Sequence, residues 1–329
     1  MVIPILSIFL PISILFLAIL LDLFLGDPSP HNPKSLIYRL HPAVVIGNFI
    51  GVIKPYFKNS NPKIAKLNGV LLGLVVLFTF SLPFYYGLGA LFTFLHIGIY
   101  AFFAIIFLKF TICIKLETDW AKAAAKSIGA SNLEAARKFA HFSRRNSTNL
   151  TGPQITSSVI ESMAENLIDF KLSPILFYAF FGVTGAIIFK AINTLDGMVG
   201  FKDKEHKDIG WFSAKLDTVV NYIPTRFAAL LIIFASFLIG ENYRASWKIA
   251  FRDYSKTPSR NHGWPMAAMA GALNVQLEKP GQYILGDKKE ELTPKKILIA
   301  LKIRNLTILL FILFILPIIW FIRLFFFPF

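Results

Sequence analysis

Residues Glu161–Gly200 read ESMAENLIDFKLSPILFYAFFGVTGAIIFKAINTLDGMVG, and this stretch decides the fold. Glu161, Glu165 and Asp169 recur every four residues, which places them on one face of a helix. Met163, Leu167 and Ile168 give that helix an opposing apolar side, and the chain then runs straight into SPILFYAFF, a sequence of membrane grade. Such a helix belongs at a membrane edge. Ionisable residues are costly there, so their presence marks function rather than packing.

The rest of the chain has the same character. Of its 329 residues 55% are hydrophobic, 34 are Phe, and the mean hydropathy is +0.59. Apolar stretches at 3–21, 67–86, 88–108, 174–192, 223–240 and 306–327 approach the ~20 residues that a helical crossing needs. The first has no basic lead and no small-residue cleavage site, so it reads as a retained helix. The expected fold is all-α: a polytopic integral membrane helical bundle of about 4–6 membrane helices, re-entrant ones included, with cytoplasmic helical connections. Residues 1–329 read as one membrane domain. Within it, 117–172 reads as a cytoplasmic helical hairpin plus the acidic helix, and 241–305 as a cytoplasmic connection.

The net charge of +15 is uneven. Lys and Arg number six in 26–66, nine in 109–173, four in 193–222 and twelve in 241–305. The positive-inside rule places the rich connections in the cytoplasm of a multi-pass protein of the cell membrane. The lipid bilayer accounts for this charge; no recognition motif for nucleic acid accompanies it. The single Cys113 excludes an internal disulfide and a thiolate metal site.

Helix punctuation is legible in the connections. Thr118 or Asp119 caps a helix through AKAAAKS that Gly129 ends, and Ser131 with Glu134 forms a capping box for a second. Gly26 followed by Pro28 closes the first membrane helix. Thr293-Pro294 opens the last helix, and Pro317 lies inside it.

Candidate chemistry follows from spacing. Three like charges on one face repel unless a cation sits among them, and Mg²⁺ takes one or two carboxylates plus phosphate oxygens. Asn193 and Asp196, three apart, and Asp217 and Asn221, four apart, flank one polar connection between apolar stretches. Arg226 reads either as an interfacial anchor or as a two-pronged clamp on phosphate. In SRNHGWPMAAMAGAL, Ser259–Leu273, the backbone N–H groups of Asn261, His262 and Gly263 stand ahead of a small-residue helix, where an anion would bind. There is no Walker A sequence.

These blocks, in this order, resemble the CbiB/CobD family of cobalamin biosynthesis proteins, the adenosylcobinamide-phosphate synthases. DLFLGDP and HPAVVIG resemble the family's opening, and SRRNSTNL its basic segment. ESMAENLIDFKLSPILFYAFFG and FKAINTLDGMVGFK resemble its central signature; GWFSAKLDTVVNYIPTR and SRNHGWPMAAMAGALNV resemble its last two blocks. The chain departs from the pattern at Asn146 after Arg145, at Phe170 after Asp169, and in the turn Thr257–Asn261.

The resemblance implies an ATP-dependent carbon–nitrogen ligase at the membrane. It would join adenosylcobyric acid to (R)-1-amino-2-propanol or its O-phosphate, with ATP and Mg²⁺ as cofactors and the cobalt-containing corrinoid as substrate. Catalysis is expected of Glu161, Glu165, Asp196 and Asp217, with Glu161 or Asp217 as proton acceptor. Glu165, Asp169 and Asp196 are expected to hold metal. Asp27, Arg145, Asn166, Asn193, Asn221, Arg226, Asn261 and Trp264 are expected at the substrate, Arg145 and Arg226 on phosphate. Other corrinoid-pathway membrane proteins are admitted as partners. The active site is expected on the cytoplasmic side, with 174–192 and 223–240 re-entering or tilting so that Asn193, Asp196, Asp217 and Asn221 line a cavity open there.

Two other readings remain at this point: a transporter for a small charged solute, in which buried acids near broken helices are common, and a non-catalytic AmpE-like membrane protein. No internal repeat supports the first. The full set of acids and amides argues against the second.

Overall fold

The computed structural model describes residues 5–30, 32–140, 148–201 and 203–325. Among them helices dominate, and the only strands form one short hairpin. The chain divides into two compact units: residues 1–114, 173–220 and 315–329, and residues 115–172 and 221–314.

The first unit begins with α1 (Ile5–Leu25), closed as expected by Gly26, whose φ of 69° suits glycine and whose N–H donates to the Asp22 carbonyl at 2.7 Å. The short α2 (Leu36–Arg39) leads to α3 (Pro42–Ile53), and then come α4 (Pro62–Phe94) and α5 (Ile97–Lys109). The apolar stretches at 67–86 and 88–108 are not two equal helices. The first helix runs through Pro83 to Phe94, and the break falls at His96, whose side chain accepts from the Gly98 N–H. Ile46, Ile50, Leu72, Val76, Ala191, Leu195, Val199 and Ile209 form a buried cluster where α3 and α4 pack against a later helix of this unit.

The second unit opens with α6 (Lys115–Gly129) and α7 (Leu133–Arg137). The cap of α7 is Asn132, not Ser131: the Asn132 side chain accepts from the Ala135 N–H, while Ser131 takes a φ of 58° in the turn. The acidic helix is α8 (Gly152–Leu167), which continues through one π-helical turn, Ile168–Leu172. The chain returns to the first unit for α9 (Ser173–Val199) and α10 (Trp211–Val220).

The second unit is completed by α11 (Tyr222–Leu238), α12 (Tyr243–Asp253), α13 (Arg260–Ala272), the antiparallel strands β1 (Leu277–Lys279) and β2 (Tyr283–Leu285), and most of α14 (Pro294–Phe325). Pro294 does open α14, and Pro317 lies inside it. Every residue of α13 from Asn261 to Ala272 is buried. Small residues permit that burial: a Cβ on Gly263 would collide with the Tyr254 carbonyl oxygen, and Ser246 Oγ donates to the Ala268 carbonyl at 2.8 Å. A buried ion cluster ties α14 to α6. Arg304 Nη1 donates to Glu117 Oε2 at 2.6 Å, and Lys171 pairs with the same oxygen.

Among the described residues three helical runs are long and apolar enough to cross a membrane: Pro62–Phe94, Gly152–Val199 and Pro294–Ile322. A fourth candidate is the broken pair α10 and α11, which meets the criterion only when taken together. The protein is thus an all-α membrane protein with three to four candidate spans among the described residues, where about four to six were expected.

Candidate functional site

The acidic face of α8 does not serve one purpose. Glu161 is only 1% exposed. Ser157 Oγ donates to its Oε1 at 2.6 Å and Tyr283 OH to its Oε2 at 2.7 Å, so it fastens the β hairpin to α8. Asn166 is buried. Glu165, whose side chain is 41% exposed, and Asp169, 13% exposed, instead meet His262 on the first turn of α13. His262 Nε2 lies 3.0 Å from Asp169 Oδ1, and Nδ1 lies 3.1 Å from Ser259 Oγ and 3.8 Å from Glu165 Oε1.

Within the π turn Lys171 is wholly buried, paired with Glu117 and 3.4 Å from the Asn166 carbonyl, and the same turn carries Asp169. His262 is fixed by Ser259, the N-cap of α13, whose Oγ also accepts the His262 backbone N–H at 3.5 Å. This corrects the expected anion site. The His262 and Gly263 N–H groups are taken by Ser259, through Oγ and the carbonyl, and the helix starts before the Trp-Pro pair instead of after it. What α13 contributes at this point is the His262 side chain. Sequence spacing could not reveal it, because His262 lies 93 positions from its partner.

Arg226, on the first turn of α11, is sandwiched. Its guanidinium carbon stands 3.5 Å from the Tyr222 ring centre and 5.5 Å from that of Trp264. Its Nη1 donates to the Tyr222 carbonyl at 2.7 Å and to Asn261 Oδ1 at 3.2 Å. Trp264 stacks on Tyr254 with ring centres 4.2 Å apart.

The first unit holds the other expected site residues. Asn193 and Asp196 lie half-buried near the end of α9, and Asp217 is buried in α10. Asp27 pairs with Lys109 and lies 3.7 Å from His41 Nε2. Burial opposes ionisation of Asp27, but the adjacent His41 imidazole and the Lys109 charge outweigh it and hold its carboxyl below the ordinary value. Asn221, in the second unit, is fully buried at the start of α11, and its carbonyl accepts from Thr225 Oγ1 at 2.7 Å. Arg145 lies outside the described residues.

Among the described residues no group of three or more His, Cys, Asp or Glu side chains is arranged to hold a metal ion. Glu165 and Asp169 are the carboxylates that could hold Mg²⁺ if phosphate oxygens completed its shell.

A family model described as "CobD/Cbib protein" matches residues 15–308. The chain belongs to the CobD/Cbib family. The match takes in the His262 cluster, Arg226 and both ends of the central signature. A relative named "Probable cobalamin biosynthesis protein CobD" from Methanothermobacter thermautotrophicus is 39% identical over 302 residues, covering 92% of this chain and 96% of the relative. Proteins with the same name from Methanocaldococcus jannaschii (34% over 327 residues, 94% and 98% covered) and Thermoplasma volcanium (34% over 279 residues, 84% and 86% covered) are also similar. No solved structure matches the chain.

Proposed function

We propose that this CobD/Cbib family member is a membrane enzyme of cobalamin biosynthesis: an ATP-dependent ligase that joins a carboxylate of adenosylcobyric acid to the amine of (R)-1-amino-2-propanol or its O-phosphate. Family membership and the names of the relatives support the pathway. The observation that carries the chemistry is the imidazole of His262, held at 3.0 Å by Asp169 with Glu165 on its other side.

Amide formation from a carboxylate needs two steps. A carboxylate oxygen attacks the terminal phosphorus of ATP, ADP leaves, and an acyl phosphate results. The neutral amine then attacks the acyl carbon, phosphate leaves with the C–O bond, and the nitrogen gives up one proton. His262 suits that proton. With Asp169 accepting from Nε2–H, Nδ1 is the basic nitrogen, and Ser259 and Glu165 stand on its side. Asp169 at Nε2 would fix the orientation of the imidazole. Glu161 or Asp217 was expected as the acceptor; Glu161 has both oxygens engaged by Ser157 and Tyr283, and His262 is proposed here in place of either. When bound, Mg²⁺ on Glu165 and Asp169 would neutralise phosphate charge. The two-step acyl transfer itself rests on the family resemblance.

The test is an assay of purified protein with adenosylcobyric acid, ATP, Mg²⁺ and either amine, read by mass spectrometry of the corrinoid. A corrinoid heavier by the condensed amine, formed only with ATP, is expected. Unchanged adenosylcobyric acid under all conditions overturns the reading.

A further inference from the structure

Ser259 Oγ lies 3.1 Å from His262 Nδ1, and His262 Nε2 lies 3.0 Å from Asp169 Oδ1. A carboxylate only accepts, so Nε2 carries its proton toward Asp169. The neutral ring then presents a lone pair at Nδ1, and the Ser259 hydroxyl is the donor that reaches it. Glu165 Oε1, at 3.8 Å from Nδ1, stands beyond hydrogen-bond distance. Hydroxyl, imidazole and carboxylate thus form a line of two hydrogen bonds, the arrangement in which a serine oxygen gains nucleophilic character. Ser259 is exposed, whereas the side chains of His262 and Asp169 are 9% and 13% exposed. The oxygen is open to a ligand and its base is sheltered. Ser259 is also the N-cap of α13, and its Oγ accepts the His262 N–H at 3.5 Å. Capping uses an oxygen lone pair and leaves the proton for Nδ1. The Ser259 carbonyl accepts from Thr257 Oγ1 at 2.7 Å and from the Gly263 N–H at 3.0 Å, which holds the residue in place. The positive end of this 13-residue helix favours the negative charge that an attacked carbonyl oxygen acquires.

We propose that Ser259 is a nucleophile activated by His262, with Asp169 orienting the imidazole, and that it carries the acyl group as a seryl ester between activation and amide formation. The identity of the acyl donor, an acyl phosphate, rests on the ligase reading. Ser259 Oγ attacks the acyl carbon. The Oγ–C bond forms, the C–O bond to phosphate breaks, and the hydroxyl proton passes through Nδ1 to the leaving phosphate. The neutral amine then attacks the ester. The N–C bond forms, the C–Oγ bond breaks, and a proton of the amine returns through Nδ1 to Oγ. One imidazole serves both halves, as base and then as acid.

The test treats the whole chain in detergent with a fluorophosphonate, which reports a base-activated serine without any corrinoid. Oγ bonds to phosphorus, fluoride leaves and Nδ1 takes the proton. Mass spectrometry of the digested protein is expected to place the adduct on Ser259. His262→Gln is expected to slow its formation on the order of 10²-fold. Ser259→Asn separates the nucleophile from the cap. Asn caps a helix as well as Ser does, so the melting temperature is expected to stay near wild type, while the adduct and amide formation are both lost. An unmodified Ser259 in folded wild type, or equally fast modification in His262→Gln, overturns the nucleophile. Amide formation at the wild-type rate by Ser259→Asn assigns Ser259 to capping alone and overturns the acyl carrier. If wild type forms the adduct on Ser259 and makes no amide, the ligase reading fails and the activated serine is upheld.

Discussion

Glu161 on α8 and His262 on α13 make opposite predictions. His262→Gln removes the proton acceptor and is expected to slow amide formation on the order of 10²-fold or more, with folding in detergent unchanged. Asp169→Asn, which cannot support the imidazolium, should follow it. Glu161→Gln is expected to leave turnover near wild type and to cost about 1–3 kcal/mol of stability, because it weakens the hold of Ser157 and Tyr283 on a buried group. Rates and thermal midpoints of the three variants separate the roles, and equal loss of rate in all three would refute them. Asp253 is a further anchor, wholly buried and bonded to Arg252, Lys256 and the Gly286 N–H. Burial raises its pKa, but these donors outweigh burial and hold it at about 2. Its contribution is therefore present above the ordinary carboxyl range near ~4 and lost as pH falls toward 2. Asp253→Asn should lower the melting temperature at pH 7 and flatten that acid dependence. Glu165 and Asp169 were legible as a pair from helical period alone. His262 was not, because its contacts depend on where α13 packs, and the anchoring of Glu161 was not, because Tyr283 arrives from a hairpin that no pattern in the chain announces.

Elements show the same division between local and packed signals. The cap at Gly26, the start of α14 at Pro294 and the existence of α8 follow from local chemistry and appear in the structure. The break between α4 and α5 does not follow from apolar runs, because 83–90 carries no charge and Pro83 is absorbed into the helix. Gly182 was also invisible: it sits in the apolar stretch of α9 with φ 68° and ψ −161°, a conformation that only glycine adopts readily. Gly182→Ala is expected to lower stability by roughly 1–3 kcal/mol, measured as a lower melting temperature in detergent. An unchanged midpoint would show that α9 runs straight through this position. Gly263→Ala should be worse, because the new methyl group meets backbone at Tyr254 and pushes α13 from its seat. Since α13 carries His262, that one substitution is expected to reduce amide formation as well as stability.

For the whole molecule, a contact within the second unit constrains how the chain threads the membrane. Asp169 and His262 are 3.0 Å apart, so the chain between them crosses the bilayer an even number of times. Two arrangements satisfy this: none, if both α9 and the α10–α11 pair re-enter, or two, if both cross. The run Gly152–Val199 has 48 residues, a contour of about 72 Å at ~1.5 Å per residue against a hydrocarbon core of ~30 Å. It can therefore cross with α9 and still leave the acids of α8 outside the lipid. Charge decides between the two. The connection 193–222 has five acids and four basic residues, whereas 241–305 has twelve basic residues. Two crossings are predicted, and they would put the slightly acidic residues 193–210, ahead of the α10–α11 span, on the side opposite the strongly basic 241–305. Re-entry, expected from the need to gather all the acids in one cavity, would put both inside. With Cys113 replaced by Ser, single cysteines at Lys204 and Lys288 should react with a membrane-impermeant maleimide from opposite sides, Lys204→Cys in intact cells and Lys288→Cys only after permeabilisation. Reaction of both only after permeabilisation would reinstate re-entry and return Asn193, Asp196 and Asp217 to the cytoplasmic side.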